Sequence, residues 1–204
     1  HYQFMLEGLA ETAETLRGRG IGFVLRIGEP PAVALDLGRD ASAIVCDRAY
    51  LRHLRQWRYD VARTAGCRVV EVETDLIVPV EGVSSKQEYA ARTIRPRIHR
   101  RLGEFAVPLD AEKIVAPAAE IEPKGESLDD IPGLLEKLGP RGRPGAVTSF
   151  FRGGYSQARE RLDRFLGERL AEYEENRSEP GLDLGSELSA YLHFGQISSL
   201  EIAL

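Results

Sequence analysis

Between residues 2 and 72 the chain alternates, three times over, between an apolar pattern of helical period and a short apolar run. Tyr2, Met5, Leu6, Leu9, Ala13 and Leu16 recur at helical spacing until Gly18 and Gly20 end the helix, and residues 22–27 then read as a strand. Pro30 and Pro31 begin a second helix through Leu37, since proline is tolerated where the first N–H groups have no helical partner; residues 42–46 read as the next strand. Leu51, Leu54, Arg58, Val61 and Ala65 line a third helix closed by Gly66, ahead of strand-like residues 67–72. Parallel neighbours need a crossover of about a helix's length, so this alternation specifies a parallel sheet wrapped by helices. The fold class is α/β. Because a helix opens the pattern, at least one earlier, central strand is expected to be missing, and both ends of the chain read as truncated. Ligand clefts in such sheets lie beyond the carboxyl ends of the strands, here at Gly28-Glu29-Pro30, Asp47-Arg48 and Glu73-Thr74-Asp75. No GxGxxG pattern occurs there, which favours ordinary loops.

From about residue 120 to 147 the chain turns rich in Pro, Gly and charge (Pro123, Gly125, Pro132, Gly139, Pro140, Gly142, Pro144, Gly145), as an interdomain linker does. One amphipathic piece, Ile131–Leu138, interrupts it. Beyond, Tyr155, Ala158, Leu162, Phe165, Leu166, Leu170 and Tyr173 define a long helix with no strand after it, the start of a helical region. The domains are therefore expected at 1–119 and 147–204, joined by 120–146.

At 43% hydrophobic and 29% charged residues, 204 residues are enough for a sizeable core, and no apolar run approaches the ~20 residues that span a bilayer. With no signal-peptide pattern at the start, a soluble, cytoplasmic protein is expected. Cys46 and Cys67 are too few and too far apart for a metal site or disulfide framework, and no metal is expected. A formal net charge of -5 argues against a generally basic, nucleic-acid-binding surface, so any such surface must be local.

Three groups of residues have chemical potential. Between Tyr89 and Gly103 stand Arg92, Arg95, Arg97, Arg100, Arg101 and His99 with no acid among them and Pro96 in their midst. They suit phosphates or an acidic partner, or else a solvated helix face or an intramolecular contact with carboxylates elsewhere, with the latter two ahead. His193 lies in an apolar stretch, as an acid–base group or a structural histidine. Sharper is the pairing of Tyr173 with Gly185, Ser186, Leu188 and Ser189 ahead of an apolar helix. Unpaired N–H groups at a helix start, with a Gly/Ser entry, suit an anionic cofactor. Plain capping by Ser186 or Ser189 is an equal account. No Ser/His/Asp or Cys/His ordering supports nucleophilic catalysis, and no catalytic residue is assigned.

These residues also carry a resemblance. The string SELSAYLHFGQIS at 186–198, with YEENRSEP at 173–180 upstream, is similar to the flavin-binding signature of DNA photolyases and cryptochromes. SSKQEYAARTIRPRIH at 84–99, preceded by IVPV at 77–80, resembles the class II cyclobutane pyrimidine dimer photolyases. The similarity runs from HYQFMLEGL at 1–9 to Leu204 and matches the middle of a family member. It implies a Rossmann-like antenna domain followed by the start of an all-α FAD-binding domain. It implies light-driven DNA repair, in which reduced, excited FAD passes an electron to a flipped-out cyclobutane dimer. Tyr173, Gly185, Ser186, Glu187, Leu188 and Ser189 then match the family's contacts to the FAD phosphates and ribityl chain. Ala190 stands where the family has Pro, Gly185 where it often has a larger residue, and Ser178-Glu179 where it has Asn-Asp. The resemblance further implies an optional deazaflavin or folate antenna chromophore, DNA containing pyrimidine dimers as the partner, and a monomer. Trp57 is expected to be a packing residue. The 204 residues alone are expected to be inactive, since one wall of a cofactor site cannot exclude water or orient the flavin. The alternatives are a cryptochrome-like photoreceptor without repair activity and an α/β nucleotide-binding module used only for protein interaction.

Overall fold

In a computed structural model of the chain, residues 1–109, 124–139, 150–179 and 181–204 are described. Much of the expected linker, including Pro123, Pro140, Gly142, Pro144 and Gly145, lies outside them. The described residues of His1–Leu25 and Glu112–Ser198 form one compact unit, and those of Arg26–Ala111 and Ser199–Leu204 another.

In the second unit, helix α2 (Pro30–Leu37) starts on its two prolines. Strand β1 (Ala43–Asp47), helix α3 (Arg52–Thr64) and strand β2 (Arg68–Val72) make the expected βαβ unit. The strands pair in parallel, Ala43 opposite Arg68 through Asp47 opposite Val72. Along β1, half-buried Ile44 and Cys46 alternate with exposed Ala43, Val45 and Asp47, as the two-residue period requires. Gly38 lets the Ile44 side chain come close, since a Cβ there would lie 2.5 Å from Ile44 Cδ1. The short helix α4 (Val80–Val83) leads to α5 (Ala91–Phe105), which contains Pro96.

Residues 22–27 differ from expectation, because they form no strand. A strand exists through its ladder, and among the described residues the one ladder is that between β1 and β2. The Leu25 carbonyl instead accepts from the Glu126 N–H at 2.7 Å.

The first unit is built on α1 (Tyr2–Gly18), against which α6 (Ile131–Leu138) and α7 (Tyr155–Arg164) pack. Asp130 caps α6 by accepting from the Gly133 N–H at 2.9 Å, and Gly139, at φ 54, ends it. Helix α7 has no cap of its own. Glu11 of α1 supplies one, accepting from the Ser156 N–H at 2.8 Å, while Glu7 accepts from the Gly153 N–H at 2.7 Å. Carboxylates at a helix start match its partial positive charge. The long helix expected from Tyr155 continues through a π-helical turn (Phe165–Arg169) into α8 (Leu170–Asn176). Leu6, Ala13, Leu134, Ala158, Leu162, Leu188, Tyr191 and Ile197 are buried in the core.

The apolar helix expected after Ser186 is shorter than its pattern suggests. Helix α9 (Ser189–His193) ends at a turn where Gly195 takes φ 63, and α10 (Ser199–Ala203) follows. Leu188 occupies the capping position of α9 with no side-chain bond, so neither serine caps it.

Candidate functional site

Tyr191 and Arg161 anchor the turn at 185–189. Tyr191 is fully buried; its hydroxyl donates to the Arg152 carbonyl at 2.8 Å and accepts from Arg161 Nε at 3.1 Å. Its ring meets Phe4 edge-on, with centroids 4.9 Å apart. Arg161 donates to the Glu187 carboxylate through Nη1 and to the Phe150 carbonyl through Nη2 at 2.6 Å, while its guanidinium lies 4.6 Å from the centre of the Phe151 ring. Glu187 is the one non-glycine residue at positive φ (57°) among the described residues. That conformation is unfavourable for a side chain bearing Cβ, and the Arg161 contact holds it in place.

A second arginine fixes the start of the turn. Arg169 donates to the Gly185 carbonyl at 2.8 Å and lies 3.4 Å from Asp183. Tyr173 stands four residues further along the chain, on α8, with its ring edge-on to Phe165 at 5.3 Å. The helix carrying Tyr173 is thereby tied to Gly185 one turn away. Around this turn, a Cβ on Gly185 would meet nothing within 4 Å. Ser186 is half-buried, Ser189 is exposed and Leu188 is buried, so the leucine anchors the backbone while the serines face outward from the core.

The donor set fits a diphosphate. It comprises two serine hydroxyls, the N–H groups of the first turn of α9 with no side-chain cap, and an open glycine. Ser186 Oγ is 3.5 Å from the Leu188 N–H, a weak bond. Glu187, the acid within this turn, is paired with Arg161, so less of its charge opposes an anion. With five residues α9 is too short for a strong helix dipole, so the amides and hydroxyls matter here more than the dipole. Arg161 and Arg169 were not singled out from the sequence. Their partners lie 26 and 16 residues away, and no local pattern signals such pairing.

The other sequence candidates fall elsewhere. His193 is exposed, its ring edge-on to Phe194 at 4.8 Å. Trp57 is half-buried on α3 against His53. The loops after β1 and β2 are bonded to each other: Thr74 Oγ1 donates to Asp47 at 2.8 Å, and the Arg48 guanidinium lies among Glu71, Glu73 and Glu81. Hydrogen bonding from Arg48 lowers the pKa of Glu81. The stretch 84–99 folds as a clasp followed by α5. Ser84 Oγ donates to Glu88 at 2.9 Å, Arg97 lies 3.4 Å from Glu88, and Ile94, Ile98 and Leu102 face a cleft of about 450 Å³ lined also by Ile77, Val78 and Val80. The bond from Ser84, then one from Thr93, hold Glu88 below the usual carboxylate range.

Comparison with known proteins fits this picture. The DNA photolyase family model matches residues 1–118. The chain is 39% identical to a deoxyribodipyrimidine photo-lyase of Methanothermobacter thermautotrophicus, covering 100% of this chain and 44% of that protein. A Potorous tridactylus deoxyribodipyrimidine photo-lyase is 34% identical over 97% of the chain and 37% of its own length. Among solved structures, a class III photolyase from Agrobacterium tumefaciens superimposes with a TM-score of 0.74 at 25% identity, covering 98% of this chain and 42% of that one. A Synechocystis cryptochrome, at TM-score 0.73, 16% identity and 99% and 43% coverage, shares the fold. The chain thus spans less than half the length of these relatives. On the family match and the shared fold, this chain belongs to the DNA photolyase family.

Proposed function

We propose that the protein carrying this chain is a class II deoxyribodipyrimidine photolyase, which splits cyclobutane pyrimidine dimers in DNA under light. In this reading residues 1–119 belong to the antenna domain, 120–146 to the linker and 147–204 to the FAD-binding domain. Tyr173, Gly185, Ser186, Glu187, Leu188 and Ser189 form one wall of the FAD site. The observation that carries the proposal is the turn at 185–189, rich in hydroxyls and uncapped amides and clamped by Arg161 and Arg169. Bound and reduced, FAD supplies an electron when excited by light. This chain's own residues bind and orient. Ser186, Ser189 and the first-turn amides of α9 would hold its phosphates, and Tyr173 would line the same wall.

The names of the Methanothermobacter thermautotrophicus and Potorous tridactylus relatives support repair over photoreception, and the cryptochrome neighbour supports the fold alone. The motif at 84–99 supports the class II assignment. A deazaflavin or folate antenna is part of the proposal through the resemblance.

Flavin retention tests the wall directly. In the protein carrying this chain, Ser186→Ala with Ser189→Ala should weaken flavin binding about tenfold per lost hydrogen bond, read as flavin absorbance retained through gel filtration. Ser127→Ala, outside the site, serves as the control. Equal retention in both variants would remove these serines from the site.

A further inference from the structure

Helix α5 sorts its arginines into two groups. On its inward side Arg97 lies 3.4 Å from Glu88, and Arg101 bonds Glu104 at 2.8 Å and the Gly82 carbonyl at 2.7 Å. On its outward side Arg92, Arg95 and Arg100 are exposed, with His99 beside them, and none of the three arginines has an ion pair or hydrogen bond among the described residues. At about 100° per residue, Arg92, Arg95 and His99 fall within about 60° of one another, and Arg100 lies about 80° to the other side of Arg92. Pro96 and Gly103, both uncharged, complete that face. Glu104, the one acid of α5, is engaged by Arg101.

An ordinary solvated helix face interleaves signs, as α7 does with Arg159 beside Asp163 and Arg164 beside Glu160. The outward face of α5 instead sets Arg92 and Arg95 one turn apart, where like charges repel. It does so in a chain whose net charge is -5, so the patch is not part of a generally basic surface. An anion laid along the face would relieve the repulsion.

We infer that this face of α5 docks the phosphate backbone of a DNA duplex, independently of base sequence. From Arg92 to Arg100 the helix rises about 12 Å, which matches three to four phosphates of one strand at about 3.4 Å of axis each. Each guanidinium offers a planar fork that bonds a phosphate through two N–H groups. The inference rests on the proposed repair function, which favours DNA over an acidic protein as the polyanion.

The test uses the protein carrying this chain, with two fluorescent duplexes of one sequence, undamaged and bearing a single thymine dimer, titrated from 50 to 200 mM salt. In the variant Arg92→Gln, Arg95→Gln, Arg100→Gln, the slope of log affinity against log salt should flatten by about 2.7 on both duplexes, at about 0.9 per phosphate contact. Wild type should then lose about 40-fold more affinity than the variant across that range. A control, Arg52→Gln, Arg55→Gln, Arg68→Gln, removes the same charge elsewhere and should leave the slope unchanged. An unchanged slope in the α5 variant overturns the docking surface, as does an equal change in the control. If wild type shows no preference for the dimer duplex yet the α5 variant flattens the slope, the repair reading fails and the docking surface stands. Dimer preference with an unchanged slope has the opposite meaning, and absence of DNA binding overturns both.

Discussion

Replacing Arg161 with Met tests whether the candidate site is held by a part-buried clamp or is merely a surface turn. The substitution removes the donors to Glu187, to the Phe150 carbonyl and to the Tyr191 hydroxyl, together with the guanidinium over Phe151. The loss is moderated, because Glu187 is 32% exposed and can rehydrate, and Tyr191 keeps its bond to Arg152. One charged hydrogen bond to a part-buried partner and one part-buried cation–π contact together give a local loss of about 2–3 kcal/mol. Without the clamp, Glu187 should leave its left-handed conformation and the turn should open. Hydrogen exchange in the protein carrying this chain reads this directly: amides from 187 to 194 should exchange roughly 30- to 150-fold faster, while those of β1 and β2 are unchanged. Arg161→Lys keeps a charge near Glu187 without the fork and should recover only part of the protection. Protection within twofold of wild type in the Met variant would show that the turn stands without Arg161.

Three further outcomes follow from particular contacts. Gly153→Ala places a Cβ 1.9 Å from the Phe4 carbonyl oxygen, so backbone must shift; urea unfolding should show a loss of about 1–3 kcal/mol, and wild-type stability would contradict this packing. Burial, then its hydrogen bond to Glu73, pushes the Tyr50 phenol up to about 12, so ultraviolet titration should leave one tyrosine un-ionised near pH 11. Because that pKa is raised on folding, its stabilisation is complete below pH ~10 and is lost as pH rises toward 12; Tyr50→Phe should reduce the alkaline fall in stability. Glu88 is the reverse case: its pKa is lowered, so its contribution is present above about 4.5 and is lost on acidification, and Ser84→Ala should lessen the acid fall seen by circular dichroism.

What the sequence reveals follows the range of the interactions. Helices α1, α2, α3 and α6 are legible because apolar period, starting prolines and closing glycines act within a few residues. Residues 22–27 are not, because an apolar run becomes a strand only when another strand accepts its ladder. The cap that Glu11 gives α7 comes from 145 residues away, and the π-helical turn at Phe165–Arg169 has ordinary helical composition. At the candidate site, the Gly and Ser residues are visible as a motif, whereas the clamp of Arg161 and Arg169 and the positive φ of Glu187 are products of tertiary packing. A left-handed residue is ordinarily signalled by Gly or Asn, and Glu gives no such cue.

Light-dependent repair is the most direct test. The protein carrying this chain, purified with its flavin and reduced, is mixed with an oligonucleotide containing one thymine dimer and split between blue light and darkness. The account predicts that the dimer is converted to two intact thymines in the light and persists in the dark, with flavin content and repair falling together in the Ser186→Ala, Ser189→Ala variant. A protein that retains flavin and leaves the dimer intact under light would contradict it.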